Sequence, residues 1–425
     1  LSDLARRSVL SLAVLFLMAG VGTHALGFLE VRLTQPELVE LLTVGLFIVL
    51  FTDGMQADLS QVRSVWAISL RLLGIGLPLT ILATAVGAHF LLRLPWIPSF
   101  LLGGVLGPTD PAFASALIGR EGVPWRLRRS LNVESGLNDG LALPLILALL
   151  AVTRGRPEGP GLAVGVLGGL ALGVTVAAAG VSLERLPFFD AARDFRRFLI
   201  FALGLLTFAL AGLTGANAFL AAFAGGATVA TLRAAYAQAF FDFGETVADL
   251  LKFAGVLVFG TLISLRFLAA LSLSAYLFIA LALFVARPAA VWLALLGNAL
   301  PWRQRVVAAW FGPKGFSSVF YAMLVLEAGI PHARFLFHVA AAVIAASMIA
   351  HSSTDVLAAK WLSRHPEALP DPAGAPTREG TPGGSEGIEQ DPPSPGDRAR
   401  PRTSPSVHPA PTRADPLQES GNGQG

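Results

Sequence analysis

Long apolar runs, separated by short gaps that carry most of the charged residues, make up the chain as far as Lys360. A helix of about 20 apolar residues rises about 30 Å, which is the thickness of the hydrocarbon core of a bilayer. The pattern predicts an all-α, polytopic membrane protein with twelve visible transmembrane helices. Their approximate bounds are 8–29, 37–54, 65–92, 97–118, 128–152, 160–183, 197–213, 217–235, 246–264, 271–297, 305–326 and 333–357.

The composition excludes a soluble globular protein, because 54% of the residues are hydrophobic and only 14% are charged. A formal net charge of +3 is compatible with a nucleic-acid partner, but the arginines lie in gaps between apolar runs, where they act as orientation signals. We therefore expect a lipid bilayer around the chain and no nucleic acid. The chain has no cysteine, which excludes disulfides and cysteine-based metal sites.

The gaps on one side of the predicted membrane, such as 120–129 and 193–197, hold most of the lysines and arginines. This bias predicts that they and the C-terminus face the cytoplasm, and that the chain is a multi-pass protein of the cell inner (plasma) membrane. Residues 1–365 are predicted to form one transmembrane domain. Residues 366–425, rich in proline and without aromatic residues, are predicted to be a disordered cytoplasmic tail.

The stretch from Glu134 to Gly140 places two carboxylates inside an apolar run. Asp139 lies roughly 16 Å along a helix that starts at Arg128, near the bilayer midplane, where an ionised carboxylate costs about 2.5–3.5 kcal/mol. Ser135 and Asp139 are four residues apart, as are Glu134 and Asn138, so they form a polar stripe. The stripe faces either a water-filled cavity or another helix in a hydrogen-bond network.

Two predicted helices are interrupted by proline and glycine, at Gly107-Pro108-Thr109-Asp110-Pro111 and at Gly312-Pro313-Lys314-Gly315. Irregular backbone at membrane depth is tolerated only inside protein or along a cavity. Two interrupted helices in corresponding places indicate a secondary-transporter site in an inverted repeat. Asp110 would answer the positive end of the half-helix that follows it, and Lys314 carries the opposite charge. The helix count predicts thirteen helices in the complete protein, the first one lying upstream.

Other buried charges have structural interpretations. Arg287 lies deep in an apolar run, and Glu134 is its natural counter-ion, so a structural pair is favoured over contact with substrate. Asp53 is either a loop residue or a cavity ligand, and we favour the loop. Glu245, Asp249 and Lys252 are spaced to form a self-neutralised helix face, and we assign them no transport role. Neither the zinc motif H-E-x-x-H nor the nucleophile elbow G-x-S-x-G occurs, and we predict that the chain is not an enzyme.

Together these motifs resemble, in order and spacing, the NhaP-like bacterial sodium/proton antiporters of the first monovalent cation:proton antiporter family. The resemblance runs from about Leu10 to Leu362. The matching segments are Thr109-Asp110-Pro111, Val123-Pro124, Glu134 to Gly140, Arg287-Pro288 and Trp310 to Gly315.

The resemblance implies a homodimer of thirteen-helix inverted-repeat protomers, in which a core surrounds two crossed, unwound helices. It implies that Asp139 binds the cation or the proton. The positions that complete the site are Asp110, Thr109 and Ser135, next to Asn138. In the family this Asn-Asp pair marks electroneutral exchange, and Glu134 and Arg287 form a structural ion pair. Lys314 departs from the arginine of many relatives and would compensate charge at the helix break.

The same residues suggest a mechanism. Oxygen ligands suit a hard alkali cation, so Asp139 and Asp110 would bind transported Na⁺, with K⁺ or Li⁺ as alternatives and no cofactor. Proton and cation would compete for Asp139, giving 1:1 exchange by alternating access for pH and sodium homeostasis. A K⁺/H⁺ antiporter and a cation channel or uniporter remain as alternatives, and an intramembrane enzyme with an Asp110 and Asp139 dyad is a weaker one.

Overall fold

The computed structural model describes residues 12–26, 35–56, 65–110, 123–155, 161–183, 196–298 and 300–364. These ranges are mainly helical and contain no strand. The predicted tail, 366–425, lies outside them. The helices are α1 (Leu12–Ala25), α2 (Gln35–Gln56), α3 (Trp66–Arg71), α4 (Leu77–Leu91), α5 (Trp96–Leu106), α6 (Trp125–Thr153), α7 (Gly161–Leu183), α8 (Arg196–Thr214), α9 (Ala218–Leu232), α10 (Ala234–Thr261), α11 (Leu265–Ala269), α12 (Leu273–Leu281), α13 (Arg287–Ala294), α14 (Trp302–Trp310), α15 (Phe316–Glu327) and α16 (Ala333–Ser363).

Six helical segments in the described ranges are long and apolar enough to cross a membrane, and five shorter apolar helices accompany them. The prediction of an all-α, multi-pass membrane protein is confirmed. The six segments are Pro36–Met55, Trp66–Leu91, Trp125–Thr153, Val164–Leu183, Leu273–Ala294 and Ala333–Ser363. The count of twelve or thirteen spans stays a prediction.

Two of these spans share one irregularity. A π-helical turn, Leu72–Gly76, joins α3 to α4, and a second, Ala282–Ala286, joins α12 to α13. Each is followed at once by a proline near the start of the next helix, Pro78 or Pro288. Proline has no N–H and its ring pushes away the carbonyl four residues earlier, so the helix widens locally instead of breaking.

Several predicted boundaries differ from the structure. The predicted helix 246–264 begins twelve residues earlier, at Ala234, because only Arg233, with φ −149° and ψ 74°, separates α9 from α10. The predicted run 305–326 is divided at Phe311–Gly315 into α14 and α15, which agrees with the predicted interruption, but α14 begins earlier, at Trp302. The run 97–118 is helical to Leu106, and its residues 111–118 lie outside the described ranges.

The polar stretch of α6 is pressed against α9, and its glycines make this approach feasible. A Cβ built on Gly136 would lie 2.3 Å from the ring of Phe223, and one on Gly140 would lie 2.4 Å from the side chain of Leu220. On its other sides α6 packs against α5 and α15. Asp139 therefore lies between α9 and the two interrupted segments.

Candidate functional site

The two interrupted segments contact each other through backbone and side-chain atoms. Asp110 N donates a 2.9 Å hydrogen bond to the carbonyl oxygen of Pro313. Lys314 Nζ, which is buried, lies 3.4 Å from Gly107 O and 3.3 Å from Pro108 O. These carbonyls follow the last turn of α5, which presents the negative end of its dipole. The lysine of one break thus caps the half-helix of the other.

The carboxylate of Asp110 makes the reciprocal contact. Its Oδ2 accepts a 3.1 Å hydrogen bond from Phe316 N, the first residue of α15, so the anion lies at a helix N-terminus. Gly315 is required here, because a Cβ at this position would lie 2.1 Å from Asp110 Cβ. The half-helix that we expected Asp110 to answer falls in residues 111–122, outside the described ranges. The contact with α15 is not evident from the amino-acid pattern.

Glu134 and Arg287 are brought together in a buried, bidentate pair. Arg287 Nη1 lies 2.9 Å from Glu134 Oε1, and Nη2 lies 3.1 Å from Oε2. Nη2 also donates to the carbonyl of Phe311 at 3.1 Å, at the C-terminal end of α14. Both carboxylate oxygens of Glu134 are occupied by the guanidinium, so this residue is poorly placed to bind an ion. The pair ties α6, α13 and the second break together.

The polar stripe of α6 meets the first break at Thr109. Ser135 Oγ donates a hydrogen bond to the carbonyl oxygen of Thr109, and Asn138 Nδ2 donates to its Oγ1 at 3.0 Å. Thr109, Ser135 and Asn138 are all buried. The structure therefore gathers the predicted site residues Thr109, Asp110, Ser135, Asn138 and Asp139 where α6 crosses the break.

Buried oxygen atoms without a hydrogen-bond partner surround this point. Among the described residues they include Asn138 Oδ1, Asp139 Oδ1 and Ser317 Oγ. Leaving a buried polar atom unpaired costs about 1–3 kcal/mol. Oxygen atoms of this kind are the ligands that hard cations prefer. The arrangement can therefore hold a small, largely dehydrated cation.

No group of three or more His, Asp or Glu side chains suited to a metal ion exists within the described ranges. The site offers two carboxylates and several neutral oxygens instead. Such a ligand set fits weak, reversible binding of a monovalent cation better than a resident divalent metal.

Sequence reasoning missed the residues that follow the second break. Tyr321 is fully buried, and its hydroxyl donates to the backbone carbonyl oxygen of Asp139. Ser317 lies one turn earlier on the same face of α15 and beside the Asp139 carboxylate. His351 Nε2 lies 3.0 Å from the carbonyl oxygen of Trp310, at the end of α14. The spacing of Ser317 and Tyr321, four residues apart directly after a break, is the signal that could have identified them.

The expectation that Asp53 lies in a loop is wrong, because α2 continues through it to Gln56. Lys252 Nζ lies 3.9 Å from Asp249 Oδ1, as an internally neutralised face requires. Lys252 is also 95% buried and close enough to Asp53, Asp110 and Asp139 to interact with them electrostatically. Lys252 of α10 is therefore a buried positive charge in the neighbourhood of the acidic groups of α2, α6 and the first break.

The chain is similar to known antiporters. A family model described as "Sodium/hydrogen exchanger, transmembrane" matches residues 1–360. The chain is 26% identical over 358 residues to a K⁺/H⁺ antiporter NhaP of Alkalimonas amylolytica, covering 82% of this chain and 62% of that protein. It is 25% identical to a K⁺/H⁺ antiporter NhaP2 of Shewanella oneidensis, covering 74% of this chain and 56% of that protein. The chain thus spans about three fifths of the length of these curated relatives.

The fold resembles a solved structure of the sodium proton antiporter MjNhaP1 from Methanocaldococcus jannaschii. The TM-score is 0.71 with 20% sequence identity, over 86% of this chain and 94% of that chain. At this level of identity the likeness concerns the fold.

Proposed function

Because the chain belongs to the sodium/hydrogen exchanger family, as its motifs predicted, we propose that it exchanges a monovalent cation for a proton across the membrane by alternating access. The observation that carries this proposal is Asp139. It is a buried carboxylate with an unpartnered oxygen, at the point where α6 meets the two interrupted segments. A carboxylate in this position binds either a proton or a cation, and each occupant excludes the other.

The ligands in this proposal are Asp139, Asp110, Ser135 and the backbone carbonyl of Thr109. That carbonyl already accepts from Ser135 Oγ, but a carbonyl oxygen has a second lone pair for a cation. Asn138, the neighbour of Asp139 in the chain, cannot ionise. Asp139 then carries one cation in one direction and one proton in the other. We therefore propose 1:1 electroneutral exchange.

Na⁺ is the first candidate cation, since the proposed ligands are oxygen atoms, which suit a hard cation, and the structural neighbour is named a sodium proton antiporter. K⁺ is the second, because the curated relatives are named K⁺/H⁺ antiporters. Ion selectivity depends on the spacing of the ligands. Exchange rates measured with each alkali cation in turn distinguish Na⁺ from K⁺ as the transported ion. The physiological role that follows is homeostasis of pH and of sodium or potassium.

We further propose an inverted-repeat architecture with thirteen helices in the complete protein. It is supported by the recurrence of a π-helical turn followed by proline in two spans, one before and one after the polar stretch of α6. It is also supported by the reciprocal caps, in which each break supplies a charge to the other. A homodimer in the inner membrane with a cytoplasmic C-terminus completes the proposal.

The test is proton efflux from proteoliposomes that contain the purified protein, followed with a pH-sensitive dye after addition of Na⁺, K⁺ or Li⁺ chloride. We expect the wild-type protein and the control Glu40→Gln, which alters an exposed carboxylate of α2, to exchange at equal rates. Asp139→Asn should abolish exchange. Exchange by Asp139→Asn at the wild-type rate would refute the role of Asp139, and a rate that follows an imposed membrane potential would refute electroneutrality.

A further inference from the structure

Ser317 is the second residue of α15, and its side chain is 99% buried. Its hydroxyl oxygen has no hydrogen bond of normal geometry with any described residue. It nevertheless lies beside the carboxylate of Asp139. A buried hydroxyl beside a carboxylate, with no other partner, keeps the lone pairs of its oxygen available for a cation.

Most hydroxyls in the apolar helices of this chain are satisfied locally. Thr80, Thr84 and Thr228, for example, each donate to the carbonyl four residues earlier, at 2.7–2.8 Å. For Ser317 that position is Pro313, which lies in the break outside α15, and its carbonyl is directed at Asp110 N of the other segment instead of along the helix. The break thus removes the usual partner of a helical serine and leaves its oxygen directed at the site.

The N-terminal half of α15 is held in place by three contacts. Phe316 N is bonded to Asp110, and the Tyr321 hydroxyl is bonded to the backbone of Asp139. The ring of Phe316 fills a slot between α2 and α10, where a Cβ on Gly45 or Gly255 would lie 3.1 or 2.3 Å from ring atoms. Ser317 lies between these contacts, so the backbone that carries its hydroxyl is held in place.

We infer that Ser317 Oγ is a ligand of the transported cation, supplied by the second interrupted segment, and that it favours the smaller cation Na⁺ over K⁺. With Ser317, oxygens from both interrupted segments enclose the cation, Thr109 and Asp110 from one side and Ser317 from the other. Enclosure by short, fixed side chains disfavours the longer ligand distances of K⁺. This inference rests on the proposed function and names one further ligand of the same site.

Ser318 provides a matched control. Its hydroxyl is also buried and also lacks a hydrogen-bond partner among the described residues. It lies about 100° further around the helix, away from the face shared by Ser317 and Tyr321. Ser317→Ala and Ser318→Ala therefore remove the same atoms at equal burial, and only the first removes the proposed ligand.

The experiment measures the apparent KM for Na⁺ and for K⁺ at fixed pH in proteoliposomes that contain each variant. We expect Ser317→Ala to raise the KM for Na⁺ at least fivefold and to lower the preference for Na⁺ over K⁺, with Vmax within twofold of wild type. Ser318→Ala and Ser317→Thr, which keeps the hydroxyl, should stay within twofold in both constants. Ser317→Cys keeps the volume with a soft sulfur donor and should change the Na⁺ constant in the same direction as Ser317→Ala.

An unchanged KM for Na⁺ in both Ser317→Ala and Ser317→Cys would overturn the inference while leaving the proposed function intact. An equal shift in Ser318→Ala would overturn it as well, because the effect would then be structural. If the wild-type protein shows no exchange, the proposed function fails. In that case, calorimetric titration with NaCl of the detergent-purified wild type and Ser317→Ala tests the role of Ser317. A fivefold loss of Na⁺ affinity in Ser317→Ala would support it, and an equal affinity would overturn it.

Discussion

The buried pair of Glu134 and Arg287 offers the sharpest prediction about stability. Replacing Glu134 by Gln keeps the size of the side chain but removes the only counter-charge that the described contacts give to this guanidinium. The exposed fraction of Arg287 is 4% and that of Glu134 is 1%, so water cannot take over. Arg287 would keep its bond to the carbonyl of Phe311 and at most one bond to the new amide oxygen.

The magnitude follows from the contacts. Removing one partner of a buried ion pair costs about 3–5 kcal/mol, because an uncompensated charge remains. Replacing both partners by neutral side chains leaves no such charge. We therefore expect Glu134→Gln and Arg287→Gln each to lower the free energy of unfolding by about 3 kcal/mol or more. The double variant should lose less than the sum by at least about 1.5 kcal/mol.

The assay is equilibrium unfolding of the purified protein in mixed micelles, with helical circular dichroism as the readout. Glu40→Gln serves as the control, since an exposed carboxylate on α2 should change stability by no more than about 0.5 kcal/mol. A Glu134→Gln variant with the same free energy of unfolding as the control would refute this prediction. Two single losses that simply add in the double variant would refute it as well.

Three further predictions concern the two interrupted segments. A Cβ on Gly312 would lie 1.7 Å from Arg287 Nε, so Gly312→Ala should lower the free energy of unfolding by about 3 kcal/mol in the same assay. A variant with a stability within about 0.5 kcal/mol of wild type would contradict the close approach. Lys314→Met removes the cation that caps the carbonyls of Gly107 and Pro108 and should lower the initial exchange rate at least tenfold, whereas Lys314→Arg should keep most of the rate. An equal loss of rate in both variants would show that the positive charge is not what matters. Tyr321→Phe removes the donor to the backbone carbonyl of Asp139 and should raise the KM for the cation about fivefold, the equivalent of about 1 kcal/mol for one hydrogen bond. An unchanged KM would argue that Tyr321 does not position Asp139.

The interrupted helices can be predicted from the sequence because their cause is local. Proline lacks a donor and glycine lacks a side chain wherever they occur, so the residues themselves are enough to place the breaks at Pro108 and Pro313. The location of Asp139 in the middle of an apolar run is likewise a matter of counting. These two features make Asp139 and both breaks candidates for one site, and the structure brings them together.

The partners of the buried charges cannot be predicted in the same way, because they depend on how helices pack. No local pattern indicates that Asp110 accepts from Phe316 N of α15, or that Lys252 lies near Asp53 and Asp139. The position of Asp53 near the end of an apolar run favours a loop, but packing extends α2 beyond it. The start of α10 at Ala234 is hidden for another reason, since only Arg233 separates it from α9 and the charges of Asp242 and Glu245 interrupt its apolar run.

In the proposed mechanism, proton and cation compete for the one carboxylate of Asp139. The most direct test is the apparent KM for Na⁺ in proteoliposomes, measured at a series of pH values with equal pH on both sides. Mutually exclusive binding to one group predicts that on the acidic side the KM rises tenfold for each unit of falling pH while Vmax stays constant. A KM that does not change with pH, with Vmax alone falling, would mean that proton and cation occupy separate groups.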